Sequence, residues 1–262
     1  MASGHWTEEL FLRHSEAFLP IHETAWARGE EETRDLRALF ARFGVPPSGR
    51  ILDAPCGIGR HATRLASMGF RVVGVDLSPA YIARAKQLAT ESGMGDRAMY
   101  IVGDLRRLSE TVPKEEAPFD AALNLWTSLG YYSEEADVLV LEEYATLVRP
   151  GGILVLFIVN RDHIVRHHEP QSYEVYGDFV VISQERFDIA GSWMRNEWRF
   201  FRRRGDDLGH VVTVPITHRV YSLHELIRLL ERAGWRVEGT FGGMKMDPPS
   251  VDSRALMIVA RR

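Results

Sequence analysis

From Arg50 to about Val159 the chain alternates short, β-rich apolar runs with helical patterns. The runs are "RILDA", "FRVVGVD", "AMYIVGD", "FDAALNLW" and "GGILVLFIV". Strands that are apolar at nearly every position must be covered on both faces, and strands separated by helical stretches return parallel. This pattern therefore constrains the region to an α/β fold with helices on both sides of a parallel sheet. The helices carry matching punctuation: Ser78-Pro79 starts one, Gly69 ends another, and Ser133 followed by Glu134 and Glu135 starts a third. With 45% of its 262 residues hydrophobic, the chain can bury a large core.

The flanks read differently. Residues 7 to 43 pattern as two helices, the first opened by Thr7 as N-cap with Glu8 and Glu9 behind it, and Gly44 with "VPPSG" stops them. After Asn160, residues 173 to 221 hold strand-like runs joined by turns such as "GDDLG", which indicates an antiparallel insertion. Ser222-x-x-Glu225 is a capping box opening a further helix. The last two runs, "WRVEGTFG" and "RALMIVARR", are separated by a segment too short for a helical crossover, so they should pair antiparallel. Three regions are expected: an N-terminal helical lid (1–49), a core (50–160 and 222–262), and an antiparallel cap (161–221) over the sheet's ligand edge.

A net charge of −4 gives no composition-level case for a nucleic-acid or anionic-membrane partner. "MASGHWTEEL" lacks a signal-peptide pattern and no apolar run is long enough to span a bilayer, so a cytoplasmic protein with a small-molecule partner is expected, as a monomer or homo-oligomer. Cys56 is the only cysteine, which excludes an intrachain disulfide and metal sites built on paired thiolates; no metal is expected.

The first strand runs into "ILDAPCGIGRHATRLASMGFRVVGVDLSP", where Gly57-x-Gly59-x-x-Ala62 opens a helix. Glycines at such a turn let a ligand approach backbone N–H groups. Asp53, ahead of the glycines, would repel a pyrophosphate and attract an ammonium. Asp76 ends the second strand, where an acid can accept hydrogen bonds from both ribose hydroxyls. Asp104 follows the third strand, within reach of an adenine amine. Three strand-end acids suit a cationic, phosphate-free nucleoside. A dehydrogenase using NAD would need a second mononucleotide half.

In order and spacing "ILDAPCGIGRHA", "VVGVDLSP", "GDL", "FDAALNLW" and "LVRPGGILVLF" resemble the motifs of class I S-adenosylmethionine-dependent methyltransferases. The chain looks like the small-molecule type with an antiparallel cap, as in amino-sugar and glycine N-methyltransferases. Pro55 departs from the usual pattern by replacing the first glycine. The resemblance implies a Rossmann-like seven-stranded sheet in the order 3-2-1-4-5-7-6 with the last strand antiparallel, and S-adenosylmethionine as cofactor. It places Asp53, Pro55, Cys56, Gly57 and Gly59 along the methionyl part, Asp76 at the ribose, and Leu77, Asp104 and Leu105 around adenine. Asn124, Leu125 and Trp126 fall beside the sulfonium. Arg28 matches an arginine that clamps the cofactor carboxylate in relatives with a helical lid; a solvated helical arginine is the plainer reading.

Methyl transfer is an in-line displacement in which positioning supplies much of the catalysis. A neutral amine needs alignment, whereas a hydroxyl benefits from a general base. His163 and His61 are the candidate bases, each more simply read as a packing or surface histidine. Trp126, Tyr131 and Tyr132, with His163, are expected to line the acceptor site. The favoured reading is methyl transfer to nitrogen of a small molecule. O-methylation, a dehydrogenase and a non-catalytic cofactor-binding module are the alternatives.

Overall fold

A computed structural model describes residues 5–262. Helix α1 (Trp6–Glu8) runs into a π-helical turn, Glu9–Arg13, and is followed by α2 (Ser15–Ala25), a 3-10 turn at Trp26–Arg28, and α3 (Gly29–Arg42). Then come β1 (Arg50–Asp53), α4 (Arg60–Ser67), β2 (Arg71–Asp76), α5 (Pro79–Glu91) and β3 (Ala98–Val102). A 3-10 turn and α6 (Leu108–Thr111) lead to β4 (Phe119–Asn124), α7 (Glu134–Leu147), β5 (Val148–Val159) and α8 (Arg161–Arg166). Strands β6 (Gln171–Tyr176), β7 (Phe179–Asp188), β8 (Trp193–Arg204) and β9 (Asp207–Arg219) precede α9 (Leu223–Arg232), β10 (Arg236–Phe241) and β11 (Ala255–Arg261).

The main sheet has seven strands in the order β3-β2-β1-β4-β5-β11-β10. With β10 and β11 counted as sixth and seventh, this is the expected order. The first five strands are parallel, and β11 lies antiparallel to both β5 and β10. Ile51 and Leu52, adjacent on β1, are both fully buried, Ile51 against the α3, α4 and α5 side and Leu52 against the side of α6, α7 and α9. Successive side chains of a strand point to opposite faces, so the apolar run follows directly from two covered faces.

Residues 171–219 form a separate antiparallel sheet, β6-β7-β8-β9. It packs on the N-terminal helices: Leu10 and Ala17 join Phe179, Phe200 and Val214 in one cluster, the Phe18 and Trp198 rings stack with centroids 5.9 Å apart, and Trp6 Nε1 donates to the Thr217 carbonyl at 2.9 Å.

Local signals mostly act as the sequence implies. Ser133 Oγ accepts from the Ala136 amide at 3.2 Å, and the Ser222–Glu225 capping box is formed. Two caps differ. Helix α1 begins at Trp6 with His5 as its N-cap, so Thr7 lies inside the first turn and its hydroxyl meets that of Tyr132 at 2.9 Å. Ser78 precedes Pro79 at the start of α5 without a side-chain cap bond, and its amide donates to the Asp76 carboxylate at 2.9 Å.

Candidate active site

The loop after β1 is drawn onto β2 by Asp76. Its Oδ2 accepts the Gly57 amide at 2.8 Å while Oδ1 accepts that of Ser78, so one buried carboxylate fixes both strand-end turns. Burial pushes the Asp76 carboxyl up to about 6, against the pull of the two amides. Gly57 and Gly59 have φ of 54° and 77°, where side chains are strained. Protein neighbours press on both: a Cβ at Gly59 would stand 2.6 Å from the Tyr100 hydroxyl, and one at Gly57 would stand 2.9 Å from the His22 ring. Gly59→Ala should therefore cost about 1–3 kcal/mol in urea unfolding, because it forces Tyr100 off its 2.7 Å bond to Thr63. Unchanged stability would show that the loop tolerates a side chain there.

A cavity lies at the C-terminal edge of the parallel strands. Pro55, Cys56, Gly57, Asp76, Leu77, Asp104, Leu105, Leu125 and Trp126 line it, as do Tyr131, Tyr132 and His61. Asp53 and Asn124, both buried, and Gly59 are not on its wall. The Asn124 amide donates to the Tyr144 hydroxyl at 3.1 Å, and Tyr144 donates to the Ala54 carbonyl, so α7 braces the loop from behind.

Two proposed residues fall elsewhere. Arg28 is exposed and does not line the cavity; its guanidinium lies on the ring of Trp126, 4.7 Å from the centroid. His163 does not line it either; on α8 its ring packs against His167 at 4.3 Å. The N-terminal helices contribute Thr7, Phe11, Phe18 and His22, which sequence spacing did not single out. No residue of the insertion lines the cavity; the second sheet stands behind those helices.

Arg60, the first residue of α4, was also missed. It lines the cavity, is 7% exposed, and stacks on Trp126 at 4.1 Å. Glu32 of α3 lies 3.0 Å from its guanidinium and 2.8 Å from His61 Nε2. The position of Arg60 directly after Gly59 was the available signal. Burial pushes the His61 imidazole down to about 4, against the attraction of Glu32, and His22 is likewise at about 4 through burial and the charge of Arg60. Both are neutral, weakly basic groups at pH 7. Asp53 is fully buried; burial raises it to about 7, which the charge of Arg60 and the nearby Ala62 amide oppose. Asp104 accepts a bidentate contact from Arg106, with Nη2 to Oδ2 at 2.6 Å.

These groups fit a nucleoside with an amino-acid end. A buried carboxylate sits near a buried guanidinium whose Nε lacks a partner, on a glycine loop, with two further acids at the ends of β2 and β3. Among the described residues no group of three or more His, Cys, Asp or Glu could hold a metal, and no helix is long and apolar enough to cross a membrane.

Residues 51–152 match the family described as a methyltransferase domain. A glycine/sarcosine N-methyltransferase of Halorhodospira halochloris is 32% identical over 216 residues, which span 81% of this chain and 75% of that protein. The chain belongs to the S-adenosylmethionine-dependent methyltransferases. This methyltransferase is also 31% identical over 135 residues to the tRNA 5-carboxymethoxyuridine methyltransferase of Escherichia coli, covering 52% of this chain and 49% of that one. In fold it is similar to CalS10, an amino pentose methyltransferase from Micromonospora echinaspora solved with S-adenosylmethionine: the TM-score is 0.66 at 20% identity, over 92% of this chain and 97% of that chain. The bound cofactor supplies a sulfonium methyl group. Asp76→Ala should weaken S-adenosylhomocysteine binding by about 1–3 kcal/mol in calorimetry, since it removes an acceptor for buried hydroxyls and frees the Gly57 amide. Unchanged affinity would remove Asp76 from the ribose site.

Proposed function

We propose that this methyltransferase acts on a nitrogen of a small, cytoplasmic molecule enclosed between the sheet edge and the N-terminal helices. Residues 1–49 then serve as a lid and residues 161–221 as a cap that backs it. The observation that carries this reading is the cavity wall. Phe11, Phe18, Tyr131, Tyr132 and Trp126 present apolar and aromatic surface from both the lid and the sheet edge, which suits a compact acceptor held away from water.

Nitrogen is favoured over oxygen by the available bases. Glu32 and His61 have the geometry of an orienting acid and its base, yet an imidazole at about 4 is a poor resting place for a hydroxyl proton, and His22 is no stronger. A neutral amine carries its own lone pair and needs alignment with the methyl group above all. The relative from Halorhodospira halochloris, an N-methyltransferase by name, supports the same direction. A net charge of −4 weighs against a tRNA acceptor. Release of S-adenosylhomocysteine should be measured against amine, phenol, carboxylate and tRNA acceptors. Turnover with amines is expected; activity confined to phenols or carboxylates would end the nitrogen reading, and activity confined to tRNA would end the small-molecule reading.

A further inference from the structure

We propose that the protein carries a second binding site, for a multiply charged small anion, in a cavity at the end of the sheet opposite the active site. This cavity has a volume of about 450 Å³ and lies where β2 and β3 begin, beside the second half of α5. Its floor is apolar: Val72, Ala89, Ala98 and Tyr100 are buried, and Met99 is left 41% exposed. Around that floor stand Arg71 from β2, Lys86 from α5 and Arg97 from the turn before β3.

Two of these cations are held side by side by the sheet itself. Val72 is in register with Ala98, and the Val72 amide donates to the Arg97 carbonyl at 2.9 Å. Arg71 and Arg97 therefore occupy matching positions one residue earlier on neighbouring chains, about 5 Å apart in the hydrogen-bonding direction. Like charges at facing positions destabilise a sheet. Nearby arginines are partnered: Arg84 of α5 lies 3.4 Å from Glu23, and Arg50 of β1 donates to the Glu115 and Glu116 carbonyls. By contrast, the side chains of Arg71, Lys86 and Arg97 make neither an ion pair nor a hydrogen bond among the described residues, although Asp96 and Glu116 also line the cavity. In a chain of net charge −4, this is a local excess of positive charge without a partner.

An anion seated between the two guanidiniums turns their repulsion into attraction, and their planar forks match the paired oxygens of a phosphate or carboxylate. Lys86 adds a point charge from the helix side. Three cations call for more than one negative charge, and the volume admits a body larger than an isolated phosphate, resting on Met99. Phosphate esters and polycarboxylates share this chemistry. The inference is independent of the acceptor, because the cofactor loop and the aromatic wall lie at the other edge of the sheet.

Calorimetry on the full chain saturated with S-adenosylhomocysteine, with ionic strength matched by sodium chloride, tests the site with inorganic pyrophosphate and citrate as probes. Saturable binding of at least one is expected; pyrophosphate alone would mark a phosphate ligand, and citrate alone a carboxylate one. Arg97→Gln should weaken that binding about 10- to 100-fold, whereas Arg186→Gln, at an exposed arginine of β7, should leave it within about twofold. Binding of neither probe, or an equal loss in the two variants, would overturn the site. Binding seen only without S-adenosylhomocysteine would put the anion in the active-site cavity and overturn it too. Thermal unfolding supplies a second reading: the probe that binds should raise the Tm of wild type and not that of Arg97→Gln. Without anion, Arg97→Gln should be at least as stable as wild type, since it relieves a repulsion; a clear loss of stability, or failure to fold, would make Arg97 a structural support and overturn the proposal.

Discussion

Replacing Trp126 by alanine should lower the rate of methyl transfer about 100-fold while S-adenosylhomocysteine affinity falls much less, since misplacing reacting atoms by about 1 Å costs that order of rate. Trp126 is the second residue beyond the end of β4 and lines the cavity, and its ring receives the Arg28 and Arg60 guanidiniums. Its backbone has φ 65° and that of Thr127 58°, two consecutive left-handed residues that cost roughly 1–3 kcal/mol each unless the surroundings fix them. Here β5 does so: the Thr127 amide donates to the Phe157 carbonyl and its Oγ1 accepts the Val159 amide, both at 3.0 Å. The turn should therefore survive loss of the ring, and the effect falls on what the ring aligns. Single-turnover formation of S-adenosylhomocysteine with an amine that the acceptor panel shows to be a substrate measures it. A rate within twofold of wild type would remove Trp126 from the reacting centre.

The second large effect is in pH. Asp53 is raised from the usual 3.8 to about 7, first by complete burial, with the charge of Asp76 adding to the rise and that of Arg60 opposing it. Asp53 stands behind the cavity wall, so its ionised carboxylate attracts the cofactor's ammonium through space, and a proton on it removes that attraction below pH 7. Affinity for S-adenosylhomocysteine should then rise from pH 5 to about 7 and level off above. Stability of the free protein runs the other way. The folded state holds this proton between about pH 4 and 7 while the unfolded chain has lost it, so this group's contribution to stability falls as pH rises through that window. Asp53→Asn should bind the ligand weakly and without the slope. A slope retained in Asp53→Asn would assign the titration to Asp76, which lies at about 6.

Much of this was readable from the chain, and the reasons are specific. Runs such as "RILDA" and "GGILVLFIV" are apolar at successive positions because both sheet faces are covered, so the parallel layers show in one dimension. The strand order came through the family likeness, which no periodicity encodes. Pro55, Cys56, Asp76, Leu77, Asp104 and Leu105 line the cavity because they sit at strand ends, where position along the chain fixes position in space. Phe18 and His22 reach the same cavity from a helix far earlier in the sequence, and only packing brings them there. Arg28, in the 3-10 turn at Trp26–Arg28, does not line the cavity itself but packs on Trp126, which does, and such a contact depends on turn geometry that spacing does not encode. His163 follows β5 on a short helix, α8, where its ring packs against His167 and not on the cavity wall.

The placement of the four-stranded sheet behind the N-terminal helices, touching them through Phe18, Trp198 and Trp6, separates two properties that usually change together. Side chains of that sheet can set how firmly the helices seat without altering the wall of the cavity. Directed evolution aimed at acceptor range should therefore find its gains at positions 11, 18 and 22, whereas libraries confined to residues 171–219 should shift turnover and thermal tolerance with acceptor preference left intact.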